Sequence, residues 1–309
     1  MRVAKDVVKL VSPRTVLKEI ADAIPIDCRE NIIIIGSLAA GFYFFGDDAA
    51  LMVRTKDADC LLSPRVRAVP AGIAITERLF EAKWTFRADQ EWPEPGKSTT
   101  ADERLPAVRL NPPGTADWFI ELLTVPDSSS DRKQNWFRLH TSYGDFGLCS
   151  FRFLALVNYD PILTPLGIKI ARPELMALAN LLEHPEVRPE PMSGLIGGRE
   201  IKRSSKDLGR VLAIARLSIR QNEDTLLAWP AQWQRAMQAR FPKDWRDSAR
   251  RAGAGLRRLL GQPNDLEEAR HSCASGLLAL MPPTVEQLRI TGRRLLADAI
   301  EPLERLAVK

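Results

Sequence analysis

The 309 residues contain no long hydrophobic stretch. The longest uninterrupted run of Ile, Leu and Val is Ile32 to Ile35, far short of the about 20 residues a helix needs to cross a bilayer, so a membrane partner is not expected. A signal peptide's apolar core is also missing. The amino terminus, MRVAKDVVKLVSPR, threads charges through its apolar residues, and a cytoplasmic location is the expectation. Cysteine and histidine are scarce, with 4 and 3 residues. Cys28, Cys60, Cys149 and Cys273 form no CxxC pair, and His140, His184 and His271 are widely dispersed. That spacing argues against a zinc site, a disulfide framework or a histidine-based metal centre.

The bulk composition is that of a folded globular chain, with 45% hydrophobic and 27% charged residues, long enough for one large domain or two ordinary ones. Charge is unevenly shared. From Arg199 to Lys309 there are 21 Lys and Arg against 13 Asp and Glu, a net of +8, which against the whole-chain +5 leaves the first 198 residues at −3. A basic carboxy-terminal part suits a polyanion such as RNA; the competing reading is a set of helices with solvated basic faces.

Ser12-Pro13 reads as an N-cap followed by proline at the first helical position, opening a helix through about Ala23. Residues 31–35 (NIIII) form a buried strand, broken by Gly36-Ser37 ahead of a segment of helical composition, LAAGFYFF. Residues 51–62 read as one strand and 72–84 as an amphipathic helix. The polar stretch 89–103 reads as a mobile loop, with strands returning at 105–110 and 116–123. After a second polar stretch at 126–135, strand-like pieces lie between Gly147 and Val157, and LGIKI (166–170) leads into a helix over 172–184 with proline at its start. Residues 185–199 form the clearest linker. Beyond it, helical periodicity covers 201–220, 223–240, 244–260, 265–281 and 284–306. The pattern predicts an α+β fold: a mixed β-sheet core flanked by helices over residues 1–185, then a basic helical domain over 186–309.

Gly36-Ser37 sits between a buried strand and a helix, where free backbone amides and the helix dipole favour phosphate. Further on, Asp57-Ala58-Asp59 lies in an otherwise apolar strand. Alternation puts both carboxylates on one face, where their mutual repulsion is relieved by a hard divalent cation with oxygen ligands. The competing reading is a polar strand face. A third acid, Glu121, is flanked by large apolar residues in WFIELL, so it must be metal-bound or paired with an arginine such as Arg54 or Arg109. Three strand acids and a phosphate turn make a coherent two-metal phosphoryl-transfer site. GLIGGR (194–199) lacks the Gly-Lys-Ser/Thr ending of a phosphate loop. Trp229, Trp233 and Trp245 could stack on bases or anchor a helical core.

The run IIIIGSLAAGFYFF…RTKDADCLL, followed by FIELL, resembles the signature of the DNA polymerase beta-like nucleotidyltransferases. LGIKIARPELMALANLL…REIKRSSKDLGRVL resembles their AbiEii-type branch, which includes toxins of toxin–antitoxin and phage-defence systems, with Pro173-Glu174 and Lys206-Asp207 at its "pe" and "KD" motifs. The likeness spans roughly residues 30–215. It implies that Gly36 and Ser37 hold the triphosphate of an NTP, that Asp57, Asp59 and Glu121 ligate two Mg²⁺ ions (or Mn²⁺), and that Arg54 steadies phosphates. Asn180 lies where the branch often has a nearby lysine, and Arg210 where it often has aspartate, so the phosphate-contacting cation is sought among Lys202, Arg203 and Lys206. The expected activity is transfer of an NMP to an acceptor hydroxyl on tRNA or another RNA, a protein or a small molecule, with a cognate antitoxin as a partner. The alternative is a catalytically silent relative that binds RNA or protein. An antibiotic-modifying enzyme is disfavoured by the basic carboxy-terminal part.

Overall fold

The computed structural model describes residues 9–46, 48, 51–115, 117–126 and 134–308. Its strands are β1 (Leu10–Val11), β2 (Ile32–Ile34), β3 (Val53–Arg54), β4 (Asp57–Leu62), β5 (Thr85–Phe86), β6 (Arg109–Asn111), β7 (Phe119–Thr124), β8 (Gln134–Thr141), β9 (Gly144–Phe151), β10 (Ile162–Leu163) and β11 (Lys169–Ile170). The fold is α+β, as expected. It splits into two compact units, one comprising Val11–Ala39 and Thr55–Arg172, the other Met1–Leu10, Ala40–Arg54 and Pro173–Lys309 over their described residues.

The first unit is built on a nine-stranded mixed sheet. Its main path runs β10-β11-β2-β4-β7-β6-β5, with β9 also pairing β7 and β8 pairing β9. The central pair is parallel: Asp57 faces Phe119, Asp59 faces Glu121 and Leu61 faces Leu123 across β4 and β7. β2 runs antiparallel to β4, with Ile33 opposite Leu61. Ile32 and Ile34 are fully buried, as are Cys60 and Leu62, which explains why β2 reads as a continuous apolar run. One face of the sheet is covered by the helix Arg65–Glu81, whose buried positions Ala68, Ala71, Ile75 and Leu79 recur at helical spacing. Fully burying Ile75 or Leu79 contributes roughly 1.5–3 kcal/mol each.

The second unit is helical in its carboxy-terminal stretch. Its described helices there are Pro173–Glu183, Arg203–Gln221, Thr225–Arg240, Trp245–Arg250, Ala254–Gly261, Pro263–Ala274, Val285–Leu295 and Glu301–Leu306, with a π-helical turn at Leu296–Ile300. Arg203–Gln221 is the hub, packing against Pro173–Glu183 and Pro263–Ala274 among others. The crossing with Pro263–Ala274 is close: a Cβ on Gly209 would lie 2.9 Å from the carbonyl oxygen of Ala269, so only glycine fits. Trp229, Trp233 and Trp245 are buried at 2%, 0% and 4% exposure, which makes them core residues and removes them as base-stacking platforms.

Several elements differ from their sequence pattern. Residues 51–62 form two strands, because Thr55 and Lys56 interrupt the run and only Asp57–Leu62 joins the main sheet. The helix expected at 72–84 starts at Arg65 and carries Pro70 within it. The stretch 105–110 yields strand only from Arg109, and β8 starts at Gln134, partly inside a segment read as a loop; residues 127–133 of that segment lie outside the described residues. The 89–103 loop is tied down rather than free. Gly96 and Asp145 exchange two backbone hydrogen bonds of 2.9 Å, and Arg138 donates to Asp102, Asp145 and the Thr100 carbonyl. The single helix expected over 244–260 is broken, since the Gly253 amide donates to Glu304 instead of continuing it. The helix Pro173–Glu183, placed by sequence with the amino-terminal domain, belongs to the helical unit.

Candidate active site

The candidate site forms where β2 ends against β4. The Ile35 amide donates to the Asp59 carbonyl at 2.9 Å, which carries the antiparallel pairing one residue past β2. Gly36 then turns the chain with φ +75° into the helix Gly36–Phe45. A Cβ on Gly36 would lie 2.8 Å from Asp59 Oδ2. Glycine is therefore required twice, for the left-handed backbone and for the space the carboxylate occupies. Gly36 is buried while Ser37 is half-buried, so the hydroxyl-bearing residue of the turn remains reachable.

Register decides where the acids meet. Asp57 and Asp59 share a face of β4, and Glu121 stands beside Asp59 on the same face of β7. All three are half-buried, whereas Leu61 and Leu123 farther along that face are buried. The carboxylates thus cluster at the amino-terminal ends of two parallel strands. Thr55 Oγ1 donates to Asp57 Oδ1 at 2.7 Å.

Glu121 has a partner. Arg109, directly opposite it on β6, donates from Nε to Oε2 at 2.8 Å and from Nη2 to Oε1 at 3.4 Å, realising the arginine pairing that the sequence left as the alternative. Arg109 Nη1 also lies 4.0 Å from Asp89 Oδ2. Burial pulls the Arg109 guanidinium down, but Glu121, Asp89 and Asp57 together outweigh it and hold the group above its ordinary value. Beside it, Arg87 packs its guanidinium 4.5 Å from the Phe119 ring centroid and donates to Asn111 at 2.9 Å. Arg87 and Asp89 were not singled out from sequence, because only the pairing of the short strands β5 and β6 brings them here. Among the described residues, no group of three or more His, Cys, Asp or Glu side chains stands ready to hold a metal ion. The donor chemistry still fits a hard divalent cation, with the carboxylate oxygens of Asp57 and Asp59 on one face, provided Glu121 exchanges its arginine.

The remaining expected site residues lie in the other unit. Arg54 is on β3 and not on the Asp57–Asp59 strand; its amide donates to the Gly276 carbonyl at 3.1 Å, and its buried Nε has no hydrogen-bond partner among the described residues. Lys202 is engaged by Asp265 at 2.6 Å and Glu268 at 3.2 Å, and these contacts hold its ammonium above the usual value against the opposing effect of partial burial. Arg203 is exposed and Lys206 half-buried on one helix. Asp207 of the Lys206-Asp207 pair accepts from His184 Nε2 at 2.9 Å. Burial pushes its carboxyl up, but the His184 hydrogen bond and the charges of Lys206 and Arg210 win and hold it well below the carboxylate range. Glu174 is buried at 8% exposure. All four cysteines are buried, and burial raises the thiols of Cys60 and Cys273, the latter to about 12. Among the described residues, no helix is long and apolar enough to cross a membrane.

No family model, no curated protein and no solved structure matches the chain.

Proposed function

We propose that the chain is a metal-dependent nucleotidyltransferase that moves a nucleoside monophosphate from an NTP to an acceptor hydroxyl. The observation that carries this reading is the register that sets Asp59 beside Glu121 while the Asp59 carboxylate fills the space at Gly36. Asp57 and Asp59, joined by Glu121, would hold Mg²⁺ or Mn²⁺, and a bound divalent ion supplies charge neutralisation around the reacting phosphates. Gly36 and Ser37 offer backbone amides and a hydroxyl to the triphosphate. The acceptor oxygen bonds to the α-phosphorus, the bond to the β-phosphate bridging oxygen breaks, and pyrophosphate leaves with that electron pair. The acceptor's proton passes to a carboxylate oxygen on the same sheet face.

The net +8 from Arg199 onward favours RNA, including tRNA, as the acceptor, and the AbiEii-like motifs favour a toxin with a cognate antitoxin. The test incubates purified protein with each labelled NTP, Mg²⁺ and total RNA or cell extract. Label transfer that Asp57→Ala and Asp59→Asn abolish supports the reading; folded protein that labels nothing ends it. One observation favours a second reading, a silent NTP-independent binding module: Arg109 already neutralises Glu121. A Mg²⁺-dependent thermal shift with any of the four NTPs separates the two.

A further inference from the structure

We propose that Arg109 is the resident counter-cation of the carboxylate face, and that binding of a divalent ion transfers it from Glu121 to Asp89. The inference rests on the nucleotidyltransferase reading above. Both oxygens of Glu121 are engaged by the guanidinium, at 2.8 and 3.4 Å, so Glu121 cannot ligate a metal while that pairing lasts. A dication beside Asp59 would also place like charges within a few ångströms of Arg109, because Asp59 and Glu121 are register neighbours.

The structure supplies the alternative seat. Asp89 Oδ1 is fixed by the amides of Glu91 at 2.9 Å and Trp92 at 2.8 Å, an Asx-type turn that anchors the side chain. Its other oxygen, Oδ2, stands 4.0 Å from Arg109 Nη1. A shift of about 1 Å turns that proximity into a charge-assisted hydrogen bond. Arg109 is 35% exposed and Asp89 45% exposed at the side chain, which leaves both room to move. Arg109 is thus a positioning residue, setting the affinity of the site through Glu121, and Asp89 is the group that makes its release cheap.

The test is Mn²⁺ titration of the metal-free full chain without NTP, followed by the loss of the free-ion electron paramagnetic resonance signal. Arg109→Gln is expected to bind Mn²⁺ about tenfold tighter than wild type, since it frees Glu121 and removes one positive charge. Arg109→Lys keeps the charge and should stay within about threefold of wild type. Asp89→Asn keeps the turn acceptor, loses the second seat and should bind about threefold more weakly. Asp57→Asn should lose binding. If Arg109→Gln binds no tighter than wild type, or Asp89→Asn no more weakly, while Asp57→Asn still abolishes binding, the exchange is overturned and the metal site stands. If Asp57→Asn changes nothing, or no variant binds Mn²⁺, the metal site and the nucleotidyltransferase reading fall together.

Discussion

Replacing Gly36 by alanine tests the contact that defines the site, and Gly114→Ala provides the matched control. Both glycines belong to the sheet unit and share a backbone geometry, with φ of +75° and +77°. Alanine in that left-handed region costs about 1 kcal/mol in either position. The surroundings differ: a Cβ at Gly114 meets nothing within 4 Å, whereas one at Gly36 lies 2.8 Å from Asp59 Oδ2. A carboxylate cannot accept that approach without leaving its rotamer well, which adds roughly 0.5–1.5 kcal/mol. With 1 kcal/mol corresponding to about 3 °C for a unit of this size, calorimetry should find Gly114→Ala lowered by about 3 °C and Gly36→Ala by about 6 °C. Mn²⁺ affinity should fall in Gly36→Ala and hold in Gly114→Ala, because only the first displaces Asp59. Equal melting shifts in the two variants, or unchanged Mn²⁺ affinity in Gly36→Ala, would refute the argument that glycine is there to seat the carboxylate.

Asp207→Asn should destabilise the chain by about 2 kcal/mol at pH 7, because the carboxylate there is ionised, half-buried and bonded to His184. A carboxyl held below its unfolded value stabilises the fold above that value and loses its effect as pH falls, so the gap to wild type should narrow below about pH 4 in urea titrations; a gap independent of pH would show that ionisation is not involved. Trp233→Phe removes the 2.8 Å hydrogen bond from Nε1 to the Glu174 carbonyl in a fully buried position. Unfolding by urea should show a loss of about 2 kcal/mol, and a change within error would mean that the bond contributes nothing net.

Local chemistry was readable wherever it rests on neighbouring residues. Ser12 accepts the Thr15 amide and Pro13 opens its helix as the residues imply, and Pro173 opens the helix to Glu183. Gly36 breaks β2 at the expected residue, and Asp57 and Asp59 share a face because a strand alternates. Pairings distant in sequence left no such trace. Nothing local to FIELL says that Glu121 stands beside Asp59, or that Arg109 lies opposite it, since both follow from the register of β4, β6 and β7. β8 escaped notice because its residues, QNWFRLHT, follow directly on a polar run, and its stability comes from the long antiparallel pairing with β9. The helix break near Gly253 is imposed by Glu304, about fifty residues away. The sequence placed Arg54 with Asp57 because it counted one strand where the chain makes two.

The interleaving of the two units along the chain constrains the order of their assembly. Residues Ala40–Arg54 leave the sheet unit partway along one helix and the chain re-enters it at Thr55, two positions ahead of Asp57. As synthesis proceeds from the amino end, this segment emerges long before Pro173–Lys309, the stretch it clusters with. The sheet waits less long, since β2 pairs with β11 and needs the chain only as far as Lys169 and Ile170. A fragment starting at Pro173 would lack the segment from Ala40 to Arg54, and one ending at Arg172 would carry it without its partners. The sheet body has all its strands once Ile170 has emerged, whereas the helical body closes only when Pro173–Lys309 meets the segment Ala40–Arg54 made long before it.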